Sequence, residues 1–209
     1  WDFRLERVKS INASGHKFGL APLGIGWVLF REPTDLPDEL IFHVSYLGGD
    51  MPTFQINFSR PAGQVIAQYF DFIRFGKAGY TAIHSSSHEI AEYCAQEIAT
   101  VDGFEIIHNG SPDKGIPAVV WTQAENTEHG FTLYDLADRL RMRGWQVPAY
   151  PFTGDLAHKA FQRILVKRGF TREMADLLLI DIKQAIDFLT SHPRSASPSS
   201  VQPSSYNHL

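Results

Sequence analysis

The stretch Ser14-Gly15-His16-Lys17-Phe18-Gly19 decides how this chain is interpreted. It follows a strand-like run at residues 8–13 and places one lysine between two glycines, after a serine and a histidine. A glycine turn at a strand end can remove water from an ammonium group and favour the free amine, which attacks an aldehyde carbon to form a Schiff base. Most lysines in such turns are solvated surface groups, so these six residues leave both interpretations open.

The surroundings of Lys17 predict a strand, a turn and a second strand. Residues 8–14 are rich in β-branched side chains and residues 25–31 in apolar and aromatic ones, which favours a strand on each side of the turn. An extended pattern resumes over residues 40–46 and ends at Gly48-Gly49, which predicts a mobile turn or flap.

Composition limits the classes of protein to consider. The 209 residues are 44% apolar and 20% charged, an ordinary globular composition for one or two domains. We expect a soluble protein, because no apolar run reaches the ~18 residues of a membrane helix and no signal peptide opens the chain. The net charge of −4, without a basic run, argues against nucleic acid as a partner. Cys94 is the only cysteine, which excludes an internal disulfide and a multi-cysteine metal site and fits a cytoplasmic setting.

Residues 61–75 predict an amphipathic helix. Pro61 suits its first turn, and an apolar face follows at helical spacing: Val65, Tyr69, Phe72 and Ile73. Ser59 is placed to cap this helix, and its hydroxyl with the free N–H groups there would bind an anion; a plain N-cap is the alternative. A second helix is predicted over residues 87–99, with Cys94 as a small core residue.

From residue 104 the pattern predicts a small alternating α/β unit. Its predicted elements are strands at 104–107, 118–121, 146–150 and 161–166 and helices at 132–143 and 171–191. Along the last strand, alternation puts Phe161, Arg163 and Leu165 on one face. An arginine among apolar neighbours must meet an anion or extend to water, and both outcomes remain open.

Several of these stretches resemble glutamate decarboxylases, members of the group II pyridoxal-phosphate-dependent decarboxylase family. The similar runs, in the same order, are residues 1–4, 8–19, 23–28, 46–49, 58–63, 140–149 and 163–169. The resemblance implies an α/β fold, namely the C-terminal part of the fold-type I large domain followed by the small C-terminal domain. It implies a large-domain segment at 1–75, a small domain at 76–192 and a flexible Ser/Pro-rich tail at 193–209.

The function that the resemblance implies is decarboxylation of L-glutamate to 4-aminobutyrate and carbon dioxide. Lys17 would hold pyridoxal 5'-phosphate as the internal aldimine, Ser14 would bind the phosphate, and His16 would bind the phosphate or assist proton transfer. Phe58 and Ser59 match positions that reach the cofactor phosphate of the neighbouring subunit. The resemblance therefore implies a homodimer or larger homo-oligomer with shared active sites.

Three further residues receive roles from the resemblance. Arg163 matches the small-domain arginine that binds a substrate carboxylate, and Tyr46 is a lid residue from the Gly48-Gly49 flap. His208 matches a histidine that in bacterial-type members folds into the active site near neutral pH; an idle terminal residue is the alternative. The tail has no basic run with a tryptophan, so calmodulin is not an expected partner.

The resemblance also leaves parts of the site unassigned. The aspartate for the pyridine nitrogen and the residue that stacks on the ring belong to a part of the family's chain outside these 209 residues. We therefore expect a C-terminal portion that is inactive alone. The alternatives are another fold-type I amino-acid decarboxylase, a truncated non-catalytic protein that binds a partner subunit, and an α/β binding module with an unreactive Lys17.

Overall fold

The computed structural model describes residues 2–45, 48–53, 59–125, 127 and 130–193. The chain divides into two compact units, Trp1–Tyr80 (unit 1) and Thr81–Leu209 (unit 2). The functional domains at 1–75 and 76–192 stay a prediction. Of the helices in the described ranges, none combines the length and the apolar character needed to cross a bilayer.

Unit 1 contains two antiparallel strand pairs. Strand β1 (Ser10–Ala13) pairs with β2 (Trp27–Phe30), with Ala13 opposite Trp27, and β3 (Phe42–Val44) pairs with β4 (Met51–Thr53). The two strands predicted around Lys17 are therefore confirmed, each shorter than predicted.

Helix α1 (Gly63–Ile98) consists of two helices joined across a kink at Gly76, so the two helices that the sequence predicts are confirmed. Its regularity is broken only at Gly76, whose φ of 54° and ψ of −169° are not helical. The second of these helices covers residues 77–98, so it begins earlier than the predicted start at residue 87. Helix α1 begins two residues after Pro61, and the carbonyl of Ala62 accepts its first helical hydrogen bond, from Ile66.

The apolar face predicted for residues 61–75 is present but exposed. Tyr69 is 66% exposed and Ile73 is 71% exposed, whereas Gln68, at the edge of the same stripe, is 2% exposed. Within the described residues of unit 1, α1 thus turns a partly polar stripe inward. A wide apolar surface is left uncovered by those residues.

Unit 2 is built on a four-stranded antiparallel sheet in the order β5-β6-β8-β7. Its strands are β5 (Phe104–Asn109), β6 (Ala118–Gln123), β7 (Ala149–Pro151) and β8 (Ala160–Leu165). Three helical segments of the described residues complete the unit: residues 81–98 of α1, α2 (Leu133–Arg141) and α3 (Arg172–Ser191). The predicted strands and helices of this unit are confirmed, with shifts of a few residues at their ends.

The helices of unit 2 begin where local chemistry predicts. Thr132 and Asp135 form a reciprocal capping box at the start of α2, and the Thr171 hydroxyl accepts from the Met174 N–H at the start of α3. These two helices and residues 81–98 of α1 contribute side chains to one core. Its largest fully buried members are Trp121, Ile98, Leu133, Leu136, Leu140, Leu178 and Ile182.

Cys94 lies in this core, as predicted for a small filler. It is fully buried, and burial raises the pKa of its thiol to about 11. The thiol is therefore protonated at neutral pH and packs as an apolar group.

Candidate active site

The connection between β1 and β2 forms a hydrogen-bonded turn around Lys17. The Lys17 N–H donates to the Ser14 carbonyl over 3.1 Å, and the Lys17 carbonyl accepts from the Leu20 N–H over 3.2 Å. The Ala21 N–H closes the turn on the Gly15 carbonyl, over 3.1 Å. The backbone of Lys17 is thus held on both sides, and Ser14, His16 and Lys17 come together in one turn.

The two glycines that flank Lys17 are buried, and they pack against α1. A Cβ atom added at either Gly15 or Gly19 would lie 2.5 Å from Oε1 of Gln68, closer than real Cβ contacts allow. Gln68 itself donates from Nε2 to the Gly19 carbonyl over 2.8 Å. These glycines therefore let the turn approach the helix closely.

The side chain of Lys17 is exposed, and it has no hydrogen-bond or ion-pair partner among the described residues. The described residues do not cover this amine, so the removal of water from it in the active site stays a prediction. The glycines bury the backbone of the turn, while the lysine side chain projects from it. The result is a primary amine presented on a fixed backbone.

His16 has a defined tautomer. Its Nδ1 lies 2.8 Å from the Ile25 carbonyl, which can only accept, so Nδ1 carries the proton. Nε2 of the neutral ring is then an acceptor, and it becomes a donor when the ring is protonated. His16 is partly buried, and this contact ties the turn to the approach of β2.

A depression of about 360 Å³ lies beside the turn on the β1–β2 pair. It is lined by Asn12, Ala13, Ser14, Gly26, Trp27 and Val28. The volume is that of a small-ligand site, and a hydroxyl and backbone groups line it. The Ser14 hydroxyl and the backbone groups of this lining fit the phosphate of a phosphorylated aldehyde such as pyridoxal 5'-phosphate.

Arg163 lies on β8 in unit 2, opposite Val120 of β6. It shares a face with Phe161 and Leu165, as predicted, and that face is the more exposed one. Its guanidinium carbon is 5.5 Å from the ring centroid of Tyr150. In the described part of the chain no carboxylate pairs with it, so its hydrogen-bond donors are available to an anion.

The other four predicted site residues are not brought to the lysine turn by the described part of the structure. Ser59 is exposed and lies four residues before α1, so the prediction that it caps this helix is wrong. Its role toward a phosphate stays a prediction. Tyr46, Phe58 and His208 lie outside the described residues, and their roles also stay predictions.

Sequence reasoning missed Gln68 and Tyr80, which contact the lysine turn from α1. One signal was available for Gln68, which lies three residues after Val65 and four before Phe72, within the predicted apolar stripe. A polar residue in such a stripe is commonly buried with a hydrogen-bond partner.

Comparison with known proteins identifies the class to which this fold and turn belong. The family model described as the pyridoxal-dependent decarboxylase conserved domain matches residues 1–123. The chain belongs to this family of pyridoxal-dependent decarboxylases.

Within this family, the chain is similar to individual glutamate decarboxylases. The chain is 51% identical to a glutamate decarboxylase of Aliivibrio fischeri over 208 residues, and 50% identical to one of Lactococcus lactis subsp. cremoris over 189 residues. These alignments cover 100% and 90% of this chain but 44% and 40% of the relatives. The chain thus spans less than half the length of either relative.

Solved structures agree on the fold. The glutamate decarboxylase of Lactobacillus brevis CGMCC 1306 superposes with a TM-score of 0.84 at 44% identity, over 95% of this chain and 44% of that one. A sphingosine-1-phosphate lyase of Burkholderia pseudomallei, at 24% identity and a TM-score of 0.71 over 92% of this chain and 40% of that one, shares the fold. The predicted α/β fold of the fold-type I class is confirmed.

Proposed function

We propose that this chain takes part in the pyridoxal-phosphate-dependent decarboxylation of L-glutamate to 4-aminobutyrate and carbon dioxide. The observation that carries the proposal is the turn that holds the backbone of Lys17 by hydrogen bonds and whose Ser14 lines a depression of about 360 Å³. The names of the relatives at 50% and 51% identity support glutamate as the substrate.

The turn supplies the groups that would hold the cofactor. The amine of Lys17 would bind the aldehyde carbon, and the Ser14 hydroxyl with nearby backbone N–H groups would bind the phosphate. Bound pyridoxal phosphate supplies an electron sink for the pair left behind when carbon dioxide departs. His16, with Nδ1 held by a carbonyl, has Nε2 left to accept or return a proton.

Arg163 would bind a carboxylate of the substrate. Its planar guanidinium can donate two parallel hydrogen bonds to a carboxylate, and no described side chain competes for those donors. A substrate fixed at one carboxylate has fewer orientations, and the choice of the bond that breaks depends on orientation.

We extend the proposal to a homo-oligomer in the cytoplasm. The exposed apolar face of α1 supports a protein partner, because large uncovered apolar patches are unusual on isolated chains. The buried free thiol of Cys94 supports a reducing compartment. Sedimentation velocity should show a dimer or larger species that Ile73→Glu dissociates, whereas a monomeric wild type would remove the oligomer from the proposal.

The activity is tested by carbon dioxide release from L-[1-14C]glutamate in the presence of pyridoxal phosphate. Because this chain spans 44% of the Aliivibrio fischeri relative and is expected to be inactive alone, it is joined to the remaining segment of that relative for the assay. Lys17→Ala should abolish the release, whereas Lys77→Ala is the matched control, since Lys77 is an exposed lysine on α1 in the same unit. Activity that survives Lys17→Ala would refute the assignment of the lysine. If an aromatic amino acid were decarboxylated as fast as L-glutamate, the activity would be that of another amino-acid decarboxylase, and the proposal of glutamate as the substrate would be refuted.

A further inference from the structure

A buried polar network holds the carbonyl of Gly19, two residues after Lys17. Gln68 Nε2 donates to this carbonyl over 2.8 Å and to the Tyr80 oxygen over 3.1 Å. The Tyr80 hydroxyl donates to the same carbonyl over 2.7 Å. Because a carbonyl can only accept, the nitrogen end of the Gln68 amide must face the turn. Both acceptor sites of the Gly19 carbonyl are therefore used.

The network depends on the glycines that flank Lys17. A Cβ at Gly15 or at Gly19 would lie 2.5 Å from Oε1 of Gln68, so a side chain at either position would displace the amide. Gln68 reaches the Gly19 carbonyl only because both positions lack a Cβ. The two glycines thus have a role that does not require the lysine side chain to be buried.

The residue after Gly19 adopts an unfavourable backbone conformation. Leu20 has a φ of 65°, the left-handed region that side chains with a Cβ rarely adopt. Such a conformation persists only where surrounding contacts determine it, and it is common next to functional groups. The hydrogen bonds to the Gly19 carbonyl act on the peptide unit that joins Gly19 to Leu20.

We propose that Gln68 is a positioning residue for Lys17, acting with Tyr80 through the Gly19 carbonyl. The proposal rests on the proposed function, in which Lys17 is the lysine that holds pyridoxal phosphate. Gln68 and Tyr80 restrict the turn to one backbone conformation, from which the exposed amine meets the aldehyde carbon. Loss of the network leaves the amine in place but lets its backbone move.

Hydrogen exchange measures this restriction without any activity. Gln68→Met keeps the length of the side chain but removes the donor, and Tyr80→Phe removes only the hydroxyl. Each variant should speed amide exchange in the peptide covering residues 14–21 by about three- to tenfold, from the net value of one hydrogen bond. The double variant should speed it further, because the Gly19 carbonyl then loses both donors. Unchanged exchange in the double variant would overturn the proposal.

A control shows that each variant is folded. The amides of β6, in unit 2, should exchange at the wild-type rate in all of these variants. Faster exchange confined to residues 14–21 supports the positioning role, whereas equal acceleration in both units would show general destabilisation and would count against that role.

Gln68→Glu tests the hydrogen-bond donor separately from the shape of the side chain. A protonated glutamic acid has the shape of glutamine and can donate its O–H to the Gly19 carbonyl, whereas a carboxylate cannot. Burial raises the pKa of a carboxyl group, so the donor is present below that raised pKa and is lost as the pH rises through it. Protection of residues 14–21, corrected for intrinsic exchange rates, should fall along this titration in Gln68→Glu but not in Gln68→Met. A titration without that change would overturn the donor role.

Borohydride trapping links the turn to the cofactor. At limiting pyridoxal phosphate, the reduced adduct on Lys17 should form about three- to tenfold more slowly in Gln68→Met than in wild type. Equal trapping rates would overturn the positioning role. Absence of any Lys17 adduct in the wild type would instead remove the proposed function, while hydrogen exchange would still decide whether Gln68 holds the turn.

Discussion

Gly15→Ala should lower the free energy of unfolding by about 1–3 kcal/mol, the usual result of adding a carbon to a packed site. The new Cβ would lie 2.5 Å from Oε1 of Gln68, 3.0 Å from Cγ2 of Ile25 and 3.2 Å from Nε1 of Trp27. Favourable contacts between heavy atoms lie at about 3.5–4.0 Å, so the contact with Gln68 is about 1 Å too short. The amide can rotate away, but it then loses its hydrogen bond to the Gly19 carbonyl, worth about 0.5–1.5 kcal/mol net.

Urea denaturation followed by tryptophan fluorescence measures this loss, since Trp27 borders the added carbon. Gly49→Ala is the matched control: no atom of the described residues lies within 4 Å of its added Cβ, and its φ is not in the left-handed region. The double variant Gly15→Ala/Gln68→Ala should recover part of the loss, because the two sites are in contact. A Gly15→Ala protein as stable as Gly49→Ala would refute the close packing of the lysine turn on α1.

Three other predictions concern unit 2. Arg163→Lys should raise the L-glutamate concentration at half-maximal rate about tenfold or more, because lysine lacks the planar pair of donors; an unchanged value in steady-state kinetics would make Arg163 structural. The Tyr93 hydroxyl donates to Asp176 over 2.6 Å, and this bond holds the pKa of Asp176 below its ordinary value of 3.8. Its stabilisation is complete above that ordinary value and is lost as the pH falls through the lowered one, so the difference in unfolding free energy between wild type and Tyr93→Phe should shrink in acid; a difference independent of pH would contradict this. With a pKa of about 11, the Cys94 thiol is ionised to about one part in a thousand at pH 8. A disulfide reagent should therefore modify it only in urea, and rapid modification of the native protein would show that the thiol is accessible.

Local signals predicted most of unit 2 because each one is contained in a few neighbouring residues. The reciprocal bonds of Thr132 and Asp135 join positions three apart, and they fix the start of α2. Strict alternation along β8 likewise predicted that Arg163 shares a face with Phe161 and Leu165, but not that the opposite face is the buried one. Such local patterns can be interpreted without knowing which elements pack together.

The lysine turn was only partly predictable, because its support comes from far along the chain. Gln68 is 49 residues from Gly19, and Tyr80 is 61 residues from it, so no short pattern joins them. The exposure of Lys17 was missed for a related reason. Glycines beside a lysine indicate that another group lies close to the backbone of the turn. They do not show whether that group is a helix of the same chain or a bound ligand.

The apolar face of α1 shows the opposite error. Helical spacing correctly grouped Val65, Tyr69 and Ile73 on one side, yet spacing alone cannot show what covers that side. Among the described residues the face is exposed, while Gln68 is buried against the turn. An amphipathic pattern thus predicted the helix but not the direction in which it packs.

Reduction with borohydride in the presence of pyridoxal phosphate, followed by peptide mapping, tests the central claim most directly. We expect the pyridoxyl group on Lys17 at a higher yield than on any other lysine, and no such adduct in Lys17→Ala. Lys77, exposed on α1, gives the background reactivity of a solvated amine. A yield on Lys17 equal to that on Lys77 would show that the turn does not present a reactive amine, and it would contradict the account.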